Sequence, residues 1–176
     1  MYSEGAQAPW ADRIAAVLPR EDPLDALVLP GGRWREVRVG AWTFLDDAYN
    51  ANPSSVRASW DAFVEIRATP QAVDAPPVVA VIGEMYELGS DADSMHRETA
   101  QWVAQRGGAA AYLFVGSFAV GMADSARGAT KADVEAFETP HEAAQWLLER
   151  GPATVYLKAS RGQRLESLIE TIRDNA

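Results

Sequence analysis

The amino-acid sequence predicts an α/β fold: a Rossmann-like, mostly parallel sheet with helices on both faces. Strand-like and helix-like segments alternate from residue 33 onward, as in a series of βαβ units. Two of the strands, at 77–83 and 111–116, are unbroken apolar runs that end in glycine. Such runs are typical of strands that are buried on both faces of a parallel sheet.

The first elements are predicted after an irregular start. Residues 1–30 are expected to be an N-terminal extension or the remnant of a preceding domain or linker, and 31–176 to form the domain. Two short β-prone stretches, 34–39 and 42–45, flank Gly40-Ala41 and predict a hairpin.

A helix is predicted to begin where Asn52 precedes Pro53, since Asn is a favoured cap and Pro a favoured first helical residue. Its buried face is expected to carry residues at helical spacing, namely Val56, Trp60, Phe63, Val64 and Arg67.

Capping boxes are predicted at 90–93 and 139–142, each opening a helix. On the first of these helices Met95, Thr99, Trp102 and Val103 are expected to share one side, and Gly107-Gly108 to end it. The remaining elements are a loop over 70–77, a helix over 117–127, strands over 134–137 and 154–158, and a closing helix marked by Leu165, Leu168, Ile169 and Ile172.

Composition excludes several classes of protein. The chain has no Cys and only two His, which argues against disulfides, thiolate chemistry and a His-rich metal site. The net charge of −9 argues against a nucleic-acid or membrane-surface binder. With no long apolar run and no secretory signal at the start, a soluble cytoplasmic protein is expected.

Three polar loops are predicted at the carboxyl ends of strands, where open α/β sheets bind ligands. They are the first loop (46–55), the second loop (83–90) and the third loop (158–164). We expect these loops to lie together.

The first loop has the composition of a nucleotide contact. Asp46 and Asp47 can accept hydrogen bonds from ribose hydroxyls, and Asn50 and Asn52 offer both donors and acceptors. A helix start adds exposed amides and a positive dipole end. In the alternative interpretation Asn52 merely caps the helix and Asp46 meets an Arg.

The other two loops carry opposite charges. Glu84 and Glu87 of the second loop suit an ammonium group or metal-linked waters, or form a solvated acidic turn. Lys158, Ser160 and Arg161 of the third loop suit a carboxylate or phosphate, or offset the acidic loops.

Neither histidine is assigned a role in chemistry. His96 is expected at the surface of its helix, and His141, in a first helical turn, is expected to be structural.

Several motifs are absent from the sequence. It contains no phosphate-binding P-loop, no GxGxxG after the first strand and no Gly-x-Ser-x-Gly elbow. The chain therefore lacks the parts to transfer a phosphoryl group alone, and we assign it no catalytic residues and no metal ligands.

Three ordered segments resemble the C-terminal domain of the MurF-type enzymes of the Mur ligase family, which are UDP-N-acetylmuramoyl-tripeptide–D-alanyl-D-alanine ligases. They are Asp46-Asp47-Ala48-Tyr49-Asn50-Ala51-Asn52-Pro53, then Val81 to Gly89, and Leu157-Lys158-Ala159-Ser160-Arg161-Gly162. The match runs from about Gly31 onward with compatible gaps.

The resemblance implies the last domain of a three-domain, ADP-forming ligase of peptidoglycan synthesis. UDP-MurNAc-tripeptide and ATP with Mg²⁺ would be held mainly by domains absent here. ATP phosphorylates the tripeptide carboxylate, and D-Ala-D-Ala attacks the acyl phosphate. This domain would close over the nucleotide, contact the dipeptide and exclude water, and it would be inactive alone.

The resemblance also assigns roles to individual residues. Arg33 is similar to a hinge-region Arg that touches ATP, and Asp47, with Asp46 as the alternative, to the acid that meets the ribose. Asn50 and Asn52 would lie beside the nucleotide. The dipeptide carboxylate would be met by Lys158, Ser160 and Arg161. We expect Asp47→Ala to weaken ATP use while leaving the domain folded.

Other functions fit the same chain. It could belong to a Mur-like ligase acting on another amino acid, folate or cyanophycin, although the relatives place His before the Pro at position 53. A stand-alone nucleotide-binding or regulatory module, or a partner that completes a split ligase, is the alternative from another class.

Overall fold

The computed structural model describes residues 34–67 and 75–175. Predictions for 1–30, for Arg33 and for most of the 70–77 loop lie outside this range. The strands are β1 (Arg35–Val39), β2 (Trp42–Asp46), β3 (Val78–Ile82), β4 (Ala111–Val115), β5 (Asp133–Phe137) and β6 (Thr154–Lys158). The helices are α1 (Pro53–Arg67), α2 (Ala92–Arg106), α3 (Ala119–Arg127), α4 (Pro140–Arg150) and α5 (Ser167–Asn175).

The six strands form one sheet in the order β1-β2-β6-β3-β4-β5. β1 pairs with β2 as the predicted antiparallel hairpin, with Val39 opposite Trp42. All other neighbours are parallel. The predicted mostly parallel sheet is therefore confirmed.

Helices cover both faces of the sheet, as predicted. One core layer, packed under α1, α2 and α3, contains Trp60, Tyr112 and Tyr156. The other, under α4 and α5, contains Leu157 and Leu168. Tyr156 and Leu157 are neighbours on β6 with side chains in different layers, because successive strand residues point to opposite faces.

Two helix starts were predicted correctly. Asn52 Oδ1 accepts the backbone N–H of Ser55 at 2.8 Å, and Ser55 Oγ in turn accepts the N–H of Asn52 at 3.0 Å. Thr139 and Glu142 form the predicted capping box of α4. Both arrangements satisfy amides that the first helical turn would leave unpaired.

The predicted capping box at 90–93 was wrong. A short 3-10 helix over Gly89–Asp91 precedes α2, and Asp91, the residue before α2, makes no side-chain cap hydrogen bond. Ser90 lies inside that tight turn, so its backbone is not at the capping position. Its Oγ instead lies 3.2 Å from Asp91 Oδ1.

Candidate functional site at the carboxyl edge of the sheet

The three predicted loops meet at one edge of the sheet, because β2, β6 and β3 are adjacent and parallel. The helix that follows β6 lies on one face, whereas those that follow β2 and β3 lie on the other. A crevice forms where successive connections leave on opposite faces, and it is the usual ligand position in such sheets. We call this region the carboxyl edge.

A buried ion pair joins the first and third loops. Lys158 Nζ lies 2.8 Å from Asp47 Oδ2, and both side chains are 4% exposed. The same ammonium donates to the backbone oxygens of Asn50 at 2.7 Å and Asp47 at 3.3 Å. These contacts use all three protons of Lys158.

This burial changes the expectation for Asp47→Ala. Removing the carboxylate would leave the largely buried Lys158 ammonium without its counter-charge, which strongly destabilises a fold. The substitution is therefore not a neutral probe of ATP binding, contrary to what we expected from the sequence.

Asp46 is held by different partners. Its Oδ2 accepts a hydrogen bond from Arg35 at 3.0 Å, and its Oδ1 accepts the N–H of Ala48 at 3.2 Å. The two structural roles considered for the first loop, an Asn cap and an Arg on Asp46, are thus both present. They leave the side chain of Asn50 exposed at the surface.

The third loop divides into buried and exposed groups. Ser160 is 4% exposed, its Oγ accepts the N–H of Tyr86 at 2.9 Å and lies 3.4 Å from the backbone oxygen of Ala51. Arg161 is exposed, with its guanidinium carbon 5.2 Å from the centre of the Tyr49 ring. Arg161 is therefore the exposed cation of the three residues expected to bind a carboxylate.

Gln163 locks the second loop to the third, a contact that sequence reasoning missed. Its Oε1 accepts the N–H of Glu84 at 2.8 Å and its Nε2 donates to Val115 O at 2.6 Å. A Cβ on Gly83 would overlap that Oε1, so only glycine fits there. The sequence signal was the glycine that ends the apolar run of β3.

His96 is buried, so the prediction that it lies at the surface was wrong. Its Nε2 accepts the N–H of Met85 at 2.8 Å, Nδ1 lies 2.6 Å from Ala92 O, and its ring stacks on Phe118. Accepting at Nε2 requires the neutral ring with its proton on Nδ1. Burial lowers the pKa of His96, although the Ala92 carbonyl and nearby carboxylates oppose that shift.

Among residues 34–67 and 75–175 no group of three or more His, Cys, Asp or Glu is arranged to hold a metal ion. Within the same ranges no helix is long and apolar enough to cross a membrane.

Comparison with known proteins gives one family. Residues 32–162 match the model of the "Mur ligase, glutamate ligase domain". A stretch of 54 residues is 50% identical to the UDP-N-acetylmuramoyl-tripeptide–D-alanyl-D-alanine ligases of Mycobacterium bovis and Mycobacterium tuberculosis. It covers 31% of this chain and 10% of those relatives.

Solved structures agree with this result. A crystal structure of MurF from Acinetobacter baumannii superposes with a TM-score of 0.68 at 25% identity, over 82% of this chain and 31% of that one. The fold is also that of MurF ligase from Thermotoga maritima, solved with ADP, with a TM-score of 0.61 at 24% identity over 87% and 33% of the two chains. The chain thus spans about a third of the length of these solved relatives.

Proposed function

Because this chain belongs to the Mur ligase family as a MurF-type C-terminal domain, we propose that it works in an ATP-dependent, ADP-forming ligase that joins D-Ala-D-Ala to UDP-MurNAc-tripeptide. The observation that carries the proposal is the carboxyl edge, where an exposed Arg161 lies on the same loop as Lys158, whose ammonium is paired with Asp47. Such an edge offers an exposed cation to an anionic substrate and oriented acceptors to a nucleotide.

The nucleotide contact belongs to the first loop. Asp47 Oδ2 is engaged by Lys158 and by Ser59, while Oδ1 has no hydrogen-bond partner among the described residues. Both oxygens of Asp46 are already engaged. Oδ1 of Asp47 therefore accepts a ribose hydroxyl, and the exposed side chain of Asn50 lies beside the nucleotide. Arg33, which precedes Trp34 in the sequence, is proposed as a further ATP contact on the resemblance alone.

Asn52 has a more limited part in this proposal. Its carbonyl oxygen Oδ1 accepts from Ser55 N and Ser54 Oγ, each at 2.8 Å. This use fixes the start of α1, whose free amides and dipole favour a nearby anion. Asn52 thus shapes the nucleotide-facing loop.

The dipeptide carboxylate is bound by Arg161. Its planar guanidinium can make two parallel hydrogen bonds to a carboxylate. Lys158 and Ser160, each 4% exposed, hold the loop that presents it. This division of roles supports one direct contact where the sequence alone suggested three.

The complete enzyme would need its other domains. ATP supplies the phosphoryl group that activates the tripeptide carboxylate, and the described residues include no candidate group for Mg²⁺. We assign the metal, together with ATP, to the central one of the three domains of a MurF-type ligase. Closure of this domain over the nucleotide would exclude water from the acyl phosphate. A soluble, cytoplasmic enzyme of cell-wall synthesis fits these substrates.

The test is ADP release by the complete protein with UDP-MurNAc-tripeptide, ATP and D-Ala-D-Ala. Arg161→Ala should raise KM for the dipeptide roughly tenfold or more, the loss of a charge-assisted contact, with KM for ATP little changed. Arg127→Ala, in an exposed ion pair on α3 with Asp124, is the matched control. ADP release that depends on a different amino acid, and not on D-Ala-D-Ala, would contradict the proposal.

A further inference from the structure

Ser59, on α1, is the centre of a hydrogen-bond cluster behind the carboxyl edge. Its Oγ lies 2.7 Å from Asp47 Oδ2, 2.9 Å from Trp34 Nε1 and 2.8 Å from the Tyr156 hydroxyl. A serine hydroxyl has one proton and two acceptor lone pairs. Three partners therefore use its full hydrogen-bonding capacity.

The direction of every proton in this cluster is determined. The indole of Trp34 can only donate. Tyr156 is fully buried, and burial raises the pKa of its hydroxyl, which stays protonated and also donates. Ser59 thus accepts twice, and its own proton must go to the carboxylate of Asp47.

One end of the cluster lies at the start of the domain. Trp34 has a positive φ of 59°, a conformation that bulky residues rarely adopt. It is held there by burial of its ring and by the bond to Ser59. In the sequence it directly follows Arg33, the residue proposed to touch ATP.

The other end lies at the first and third loops. Asp47 meets Lys158, and Lys158 donates to the backbone of Asn50. Trp34, Ser59, Asp47 and Lys158 therefore form one continuous chain of hydrogen bonds, which we call the Ser59 relay. It joins the segment after Arg33 to the loop proposed to hold the ribose.

We propose that Ser59 is a positioning residue that fixes the Asp47 carboxylate and the Trp34 backbone in one arrangement for nucleotide binding. The kinetic part of this inference rests on the proposed function. The structural part, coupling between Trp34 and Asp47 through Ser59, stands independently.

The structural part can be tested on this chain by NMR. The indole N–H resonance of Trp34 is the one that disappears in Trp34→Phe. Asp47→Asn should shift that resonance in the presence of Ser59 and leave it in place in the Ser59→Ala background. Asp124→Asn, on an exposed ion pair, should not shift it. The relay would be overturned if Asp47→Asn did not shift the indole resonance, or shifted it equally in the wild-type and Ser59→Ala backgrounds.

Tyr156→Phe gives a second measurement should Asp47→Asn fail to fold. It removes one donor to Ser59 without touching Asp47 or Trp34 directly. The Trp34 indole resonance should again shift only while Ser59 is present. No shift in that variant would overturn the relay as well.

The kinetic part uses the complete ligase. Ser59→Ala should raise KM for ATP about tenfold, because the Asp47 carboxylate loses the hydrogen bond from Ser59. The value of kcat should stay within about twofold of that of the wild type. Ser59→Thr, which keeps the hydroxyl, should have the KM for ATP of the wild type. Ser125→Ala on α3 is the control and should not change KM for ATP. A wild-type KM in Ser59→Ala, or equal losses in Ser59→Ala and Ser59→Thr, would overturn the positioning role.

The two proposals fail in different ways. If the complete wild-type protein releases no ADP with the stated substrates, the proposed function is wrong, and the indole resonance alone decides the relay. If the wild type is active and Ser59→Ala behaves like it, the function stands and the inference about Ser59 is wrong.

Discussion

The ammonium nitrogen of Lys158 lies 2.8 Å from Oδ2 of Asp47, and neither side chain is more than 4% exposed. Burying one charge alone is far more costly than burying a matched pair. The pair therefore stabilises the carboxyl edge only as long as both partners are present, and this property gives the first prediction.

Asp47→Ala or Lys158→Met should each lower the free energy of unfolding by about 3–5 kcal/mol, because each leaves an uncompensated buried charge. The combination of Asp47→Ala with Lys158→Met should cost less than the sum of the two single changes. Urea unfolding of this chain measures all of these. Asp124→Asn, in an exposed ion pair, is the control and should leave the midpoint unchanged. Additive losses would show that the two residues are not coupled.

His96 should make the domain less stable in mild acid. Its pKa is lowered in the folded state by burial. Below about pH 6.5, the ordinary pKa of histidine, the unfolded chain therefore binds a proton that the folded chain does not. The stabilisation that the neutral His96 gives the fold is complete above pH 6.5 and is lost as the pH falls toward the folded-state pKa. Over that range the free energy of unfolding should fall by up to about 1.4 kcal/mol per pH unit.

The measurement is urea unfolding between pH 7.5 and 5. His96→Gln should flatten this part of the profile relative to the wild type. His141→Gln, at an exposed position on α4, should preserve it. Parallel profiles for the wild type and His96→Gln would show that the histidine is not held in its neutral form.

A substitution of Gln163 should relieve the destabilisation caused by a substitution of Gly83. Gly83→Ala alone places a Cβ in direct overlap with Gln163 Oε1 and 2.9 Å from the Cβ of Ala159. It should destabilise the domain by roughly 1–3 kcal/mol or more, the usual cost of overpacking. Adding Gln163→Ala removes the nearer clash, so the double variant should unfold at a higher urea concentration than Gly83→Ala. Gly128→Ala, where a Cβ meets nothing within 4 Å, is the control. A double variant that is less stable than Gly83→Ala would contradict the packing of Gln163 against Gly83.

Asn52 should contribute to stability through its cap. Asn52→Ala removes the acceptor for Ser55 N and should cost about 1 kcal/mol, whereas Asn52→Asp keeps it and should cost little. Asn50→Ala changes an exposed side chain on the same loop and should leave thermal unfolding unchanged. Equal losses in Asn52→Ala and Asn52→Asp would show that the cap is not what matters at this position.

The fold could be predicted largely from local signals. Apolar runs that end in glycine identified β3 and β4, and Asn52-Pro53 identified the start of α1. These signals act over a few residues, so they are visible without the rest of the structure. Alternation of strands and helices then fixed the α/β class. The predicted box at 90–93 failed because the preceding turn tightened into a 3-10 helix.

The site could be predicted only in outline. The three loops were predicted, but which of their side chains face solvent depends on contacts between distant parts of the chain. Lys158 and Ser160 are buried against the first and second loops, whereas Arg161, next in the sequence, is exposed. The burial of His96 and the cluster around Ser59 likewise arise from packing between elements, and no short sequence motif predicts them.

The central place of β6 in the sheet has a consequence for synthesis on the ribosome. β6 lies between β2 and β3, yet it is made more than a hundred residues after the former. Until it emerges, β2 and β3 each expose an apolar strand edge that can pair with another chain. Through most of its translation the nascent domain should therefore be able to pair with other chains, and chaperones should be able to bind it. Lesions that stop translation before residue 154 would leave a sheet split in two.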